Sequence, residues 1–103
     1  MILTLAITTE KELVYDLPLE ALKKQHVKWY WVDFVEPTGD EVSLLSDFFH
    51  FHPLAIEDCL KFVQQLKMDF YDDYLFVVGH SINLKTLEAD EVDLFVSDNF
   101  VVT

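Results

Sequence analysis

Glu57 and Asp58 are the side chains whose type and spacing most suggest chemistry. They lie in the stretch His52-Pro53-Leu54-Ala55-Ile56-Glu57-Asp58-Cys59-Leu60. Two adjacent carboxylates can hold a hydrated Mg2+ ion, which keeps several waters and takes one or two carboxylates. Neighbouring helical residues diverge by about 100°. The pair therefore cannot wrap a bare ion without a further carboxylate, and the site would be weak. Spacing alone favours a plainer reading: a solvated stripe in which Glu57 and Lys61 form an i,i+4 pair worth about 0.3 kcal/mol. His50, His52 and Cys59 suggest a zinc or cobalt site, but Cys59 falls on an apolar helical face and His52 reads as a helix cap. Asp72 and Asp73 sit in a polar turn, where Asp serves local hydrogen bonding. Asp93 interrupts an apolar strand and reads as a solvent-facing or edge position. His80 lies within a strand and reads as structural. No Ser-His-Asp order, glycine-rich phosphate loop or clustered zinc pattern is present, so the sequence reads as a non-enzyme.

The elements that must position these residues follow from periodicity. On a wheel of residues 54–66, Ala55, Ile56, Cys59, Leu60, Phe62, Val63 and Leu66 fill one arc. Glu57, Asp58, Lys61, Gln64 and Gln65 fill the other, so both carboxylates are expected to point away from the core. Pro53 suits a first helical position. Thr38-Gly39-Asp40-Glu41 is a capping box opening a helix with Val42, Leu45, Phe48 and Phe49 inward, ending near His50. Asp16 is expected to cap a short helix running to Lys24, with Pro18 in its first turn. Leu3, Leu5 and Ile7 alternate with Thr4, Ala6 and Thr8, predicting a strand with one buried face. Residues 12–15 pair with it across a polar turn. Strands are also predicted at 27–35, 67–70, 74–83 and 87–96, and Ser97-Asp98-Asn99 turns the chain into a last strand from Phe100. The strand at 27–35 is apolar on both sides, so both are expected to be covered.

Composition limits the function classes. The chain of 103 residues carries 7 basic and 19 acidic residues, a net charge of -12. That balance opposes docking on nucleic acid or anionic lipid surfaces and is compatible with attracting cations. The 51% hydrophobic content, with nine Phe, predicts one small folded domain rather than a disordered acidic chain. Cys59 is the single cysteine, which excludes an intramolecular disulfide. Met1-Ile2-Leu3-Thr4-Leu5 lacks the basic start of a signal peptide, and no apolar run reaches the roughly 20 residues of a membrane span.

Several motifs, in order, resemble the N-terminal cytoplasmic domain of CorA-type magnesium/cobalt transporters. They are Trp31-Val32-Asp33-Phe34, Pro37-Thr38 before an acidic helix, and the His52–Leu60 stretch. Lys67 with Tyr71-Asp72-Asp73-Tyr74-Leu75-Phe76 follows, then Glu91-Val92-Asp93-Leu94-Phe95-Val96 with Asn99-Phe100-Val101-Val102-Thr103. Gln65-Leu66 replaces the Arg-Pro pair frequent in the family. The resemblance implies an α/β/α sandwich in a pentameric membrane transporter, followed by a stalk helix and two membrane helices with a Gly-Met-Asn pore motif. It implies that Glu57 and Asp58 bind regulatory Mg2+, with Co2+ as a second candidate ion, between subunits. The third carboxylate would come from a neighbour's stalk helix.

The fold expected for residues 1–103 is α+β: a mixed, largely antiparallel sheet with helices on one face, a truncated α/β/α sandwich. The domain would lie on the cytoplasmic side of the cell membrane, attached only through chain that follows Thr103, which falls inside a strand without a terminating signal. Its uncovered sheet is expected to make it self-associate. The alternatives are a stand-alone acidic domain recognising a basic partner, or the cytoplasmic domain of a zinc-transporting relative.

Overall fold

A seven-stranded sheet runs in the order β2-β1-β3-β7-β6-β5-β4 in the computed structural model, which describes residues 1–61 and 66–103. The strands are β1 (Ile2–Thr8), β2 (Leu13–Tyr15), β3 (Val27–Phe34), β4 (Lys67–Phe70), β5 (Leu75–Ile82), β6 (Ala89–Val96) and β7 (Phe100–Val102). All neighbours are antiparallel except β3 and β7, which pair in parallel through Tyr30–Phe100, Trp31–Val101 and Val32–Val102. Three short helices, α1 (Leu19–Leu22), α2 (Gly39–Asp47) and α3 (Pro53–Leu60), cover one sheet face. The mixed, largely antiparallel α+β fold is the one expected.

Helix ends follow local chemistry. The capping box is present: Thr38 Oγ1 accepts from the Glu41 N–H at 3.2 Å, and Glu41 Oε1 accepts from the Thr38 N–H at 3.0 Å. His52 caps α3, its Nδ1 accepting from the Leu54 N–H at 3.1 Å, with Pro53 at the first helical position. The first helix departs from expectation. It is a single turn, Pro18 occupies its cap position, and no side chain caps it. Asp16 instead adopts φ 60° in the turn leaving β2. Its N–H donates to the Thr4 carbonyl at 3.0 Å, which ties that turn to β1.

Cross-strand register defines the covered face. Thr4 and Ala6 of β1 share it with Tyr30 and Val32 of β3, Val102 of β7, Phe95 of β6, and Phe76 and Val78 of β5. β1 thus has one buried face, as expected, and it is the lighter one: Thr4 and Ala6 are 7% and 0% exposed while Leu3 is 42% exposed. Small side chains let the chain after β2 lie close, and the buried Thr4 hydroxyl donates to the Leu17 carbonyl at 2.8 Å. The other side of β3 is open among the described residues, as expected of a sheet with helices on one face. Trp31 is 41% exposed on the open side, where Leu3, Leu13, Tyr15, Met68 and Phe70 are exposed as well.

Phe51, between α2 and α3, is the central plug. It is buried, stacks on Phe95 with ring centroids 4.0 Å apart and on Phe49 at 5.3 Å, and meets Tyr74 at 4.8 Å. It holds both helices to the sheet, although each is too short to persist alone. Phe51→Ala should cost about 3–5 kcal/mol in denaturant unfolding; a loss below about 1 kcal/mol would show that the contact is dispensable.

Candidate metal centre

Helix α3 carries the expected pair in two different settings. Glu57 is exposed and pairs with Lys61 one turn on, which is the i,i+4 contact read from the sequence. Asp58 is not a freely solvated partner to it. It is half-buried at the seam between helix and sheet, where it pairs with Lys67 of β4. Lys67 also lies 3.2 Å from Asp69, so one ammonium bridges two carboxylates, and both hold its proton more tightly than usual. The expectation that both carboxylates simply face away from the core therefore holds for Glu57 and fails for Asp58. The helix ends earlier than the wheel assumed: Lys61 is already extended and Leu60 is 62% exposed. Phe62, Val63, Gln64 and Gln65 of the wheel lie outside the described residues.

The other proposed ligands are not brought together. His52 uses Nδ1 for capping and stacks on Tyr71 at 5.1 Å, while its N–H donates to the Tyr74 hydroxyl at 2.6 Å. Cys59 lies at the opposite end of α3, half-buried against the core. His80 lies within β5, as expected, and is exposed. Among the described residues, no three His, Cys, Asp or Glu side chains are placed to hold a metal ion. Glu57 and Asp58 can contribute ligands only to a site completed from elsewhere.

A second polar group at α3 was misread from the sequence. Asp93 is not a solvent-facing or edge residue: β6 lies between β7 and β5, and Asp93 shares the covered face with Phe95. Its buried Oδ1 has no hydrogen-bond partner among the described residues. Burial, and then the neighbouring Glu91 carboxylate, push the Asp93 carboxyl up to about 7. Burial, and then Asp93, push the Cys59 thiol up to about 12. Cys59 is therefore an unreactive thiol at neutral pH. An acidic residue between Val92 and Leu94, two positions from another acid, was the available sequence signal. Strand alternation alone did not say which face the helices cover.

This arrangement has a pH consequence. An aspartate raised from its ordinary value binds its proton more tightly in the folded state, so its stabilising share is complete below about pH 4. That share is lost as pH rises toward 7, where the folded carboxyl titrates. Asp93→Asn should flatten this decline and raise stability at pH 8 by about 1–2 kcal/mol. Thermal unfolding from pH 4 to 8 is the measurement, and an equal decline in both proteins would contradict the assignment.

Comparison with known proteins accounts for these elements together. The family model described as CorA-like Mg2+ transporter protein matches residues 27–103. YfjQ of Bacillus subtilis, assigned to metal-ion transport, is 52% identical over 103 residues, covering 100% of this chain and 32% of YfjQ. The cobalt/magnesium transport protein CorA of Thermotoga maritima is 36% identical over 67 residues, covering 61% of this chain and 19% of that protein. The soluble domain of CorA from Methanocaldococcus jannaschii shares the fold at a TM-score of 0.71 and 12% identity, covering 100% of this chain and 39% of that one. This chain thus spans about a third of the length of YfjQ. It belongs to the CorA-like Mg2+ transporter family.

Proposed function

We propose that this domain is the regulatory, cytoplasmic-side part of a divalent-cation transporter, and that it senses Mg2+ at subunit interfaces to gate transport. In this reading residues 1–103 form the N-terminal part of the cytoplasmic domain of a homo-oligomer, a pentamer at full length. Co2+ is a second candidate ion. The observation that carries the reading is the placement of exposed Glu57 and half-buried Asp58 together in the last turn of α3, in a chain whose family is that of Mg2+ transporters.

The mechanism uses charge. Nineteen acidic residues against 7 basic ones make close approach of identical subunits unfavourable. A hydrated Mg2+ between Asp58 and a neighbouring subunit's carboxylate would offset that repulsion and favour the closed assembly. When Mg2+ falls, the bridges empty and the open ensemble becomes more populated. Lys61 and Lys67 occupy the same carboxylates, so Mg2+ has to displace an ammonium. That competition keeps the site weak, as sensing abundant Mg2+ requires.

Two variants of a full-length transporter carrying this domain test the reading with opposite signs. Asp58→Asn should abolish most of the protection from proteolysis that Mg2+ confers. Lys67→Met, which removes the competing ammonium, should shift that protection to roughly tenfold lower Mg2+. Protection curves unchanged by either variant would exclude Asp58 as a ligand. The exposed apolar side of the sheet is proposed to make the 103-residue chain self-associate. Sedimentation at high concentration should show dimers or larger species, and a strictly monomeric chain would refute this.

A further inference from the structure

Lysine is scarce and unevenly placed in this chain. All seven basic residues are lysines, and Lys23, Lys24 and Lys28 line one open cavity of about 270 Å³. The cavity lies where the end of α1 meets β3 and the turn before β7. Leu22, Val27, Tyr30, Asn99 and Phe100 complete its lining, and no Asp or Glu is among them. This is the reverse of the charge balance of the chain as a whole.

The lysines are not consumed by internal ion pairs. Among the described residues, Lys61 and Lys67 pair with carboxylates, whereas Lys23, Lys24 and Lys28 do not. Lys23 is nevertheless fixed: its ammonium donates to the Phe48 carbonyl at 2.7 Å and sits 4.2 Å from the centre of the Phe48 ring. Phe48 is not part of the lining, so this ammonium adds its charge from the margin of the cavity, while Lys24 and Lys28 have no such internal partner among the described residues. Two neutral donors also line the cavity. The Asn99 Oδ1 already accepts from the Ser97 hydroxyl at 3.1 Å, which leaves the amide N–H groups to donate. No described residue hydrogen-bonds the hydroxyl of Tyr30, which also lines the cavity.

We propose that this cavity is an anion site for a phosphate group, either free inorganic phosphate or a small phosphate monoester. Three ammonium groups with amide and phenol donors match a compact dianion better than a single carboxylate. The net charge of -12 does not prevent this. At physiological ionic strength charges farther than about 8 Å are largely screened, so a small anion responds to the local lysines. A long polyanion would instead meet the surrounding acidic surface, which is why nucleic acid remains an unsuitable ligand. The site uses neither Glu57 nor Asp58, so it stands or falls apart from the Mg2+ reading.

The test is an amide-resolved NMR titration of the 103-residue chain with sodium phosphate, free of Mg2+, against sodium chloride at equal ionic strength. Phosphate should produce saturable shifts centred on residues 23–30 and 99–100. Lys24→Gln with Lys28→Gln should weaken binding roughly tenfold. Lys11→Gln with Lys85→Gln, the same change in net charge elsewhere, should leave it unchanged. Lys24→Arg with Lys28→Arg should retain binding, which separates lost charge from lost folding. Absence of saturation, equal shifts with chloride, or equal loss in the Lys11/Lys85 pair would overturn the proposal. Flotation with phosphatidylglycerol and with phosphatidylcholine vesicles identifies the phosphate source. Site-dependent binding to phosphatidylglycerol vesicles with no response to free phosphate would keep the phosphate chemistry but overturn the soluble ligand.

Discussion

The stacking of Phe51 on Phe95 is the contact on which the rest of this domain depends. Helices α2 and α3 have 9 and 8 residues, lengths at which an isolated helix in water is marginal. Their persistence comes from burying one side against the sheet, and Phe51 sits at the junction where both gain from a single insertion. Phe49 stacks on it from the α2 side, and Tyr74 closes it from the chain that enters β5. The Tyr74 hydroxyl then accepts from the His52 N–H, and His52 in turn caps α3. A hydrophobic plug and a two-step polar link therefore determine where α3 begins, and with it where Glu57 and Asp58 lie.

Much of this was legible in the sequence, and what stayed hidden about the sheet faces has one cause. Proline after a histidine cap, the Thr38–Glu41 reciprocal cap and the alternating strands are local signals, and they act locally in the fold. Which sheet face receives helices is not local. Alternation in β1 separates Leu3, Leu5 and Ile7 from Thr4 and Ala6 but cannot say which set faces the helix layer. The structure takes the lighter one, because a turn and a one-turn helix must pass close above it and the Thr4 hydroxyl finds a carbonyl there. Asp93 was misplaced for the same reason: a carboxylate in an apolar strand was assigned to water, whereas register with Phe95 puts it under the helices.

The two candidate cation ligands illustrate a different limit. A helical wheel gives angles around one axis and is blind to a neighbouring strand. Glu57 and Asp58 fell on the same polar arc, yet β4 brings Lys67 beneath one of them only. Lys67 therefore makes Asp58 part of the tertiary structure while Glu57 remains a surface residue with an intrahelical partner. No periodicity argument could have ranked the two. The lysine of the Lys67 motif was visible, but its partner was not.

That asymmetry bears on how a cation could act through this domain. An ion arriving at Glu57 exchanges with a solvated ammonium, a local event that leaves the sheet untouched. An ion arriving at Asp58 releases Lys67, whose remaining carboxylate contact is Asp69 on the same edge strand. Among the described residues β4 pairs with β5 alone, at the end of the sheet, where a strand is held on one side and responds more readily to a change in charge. Under the proposed regulatory reading, Asp58 is then the carboxylate through which metal occupancy can be transmitted, because its ion pair joins helix to sheet. Glu57 can add affinity, but with its partner on its own helix it has no comparable route for passing the signal on.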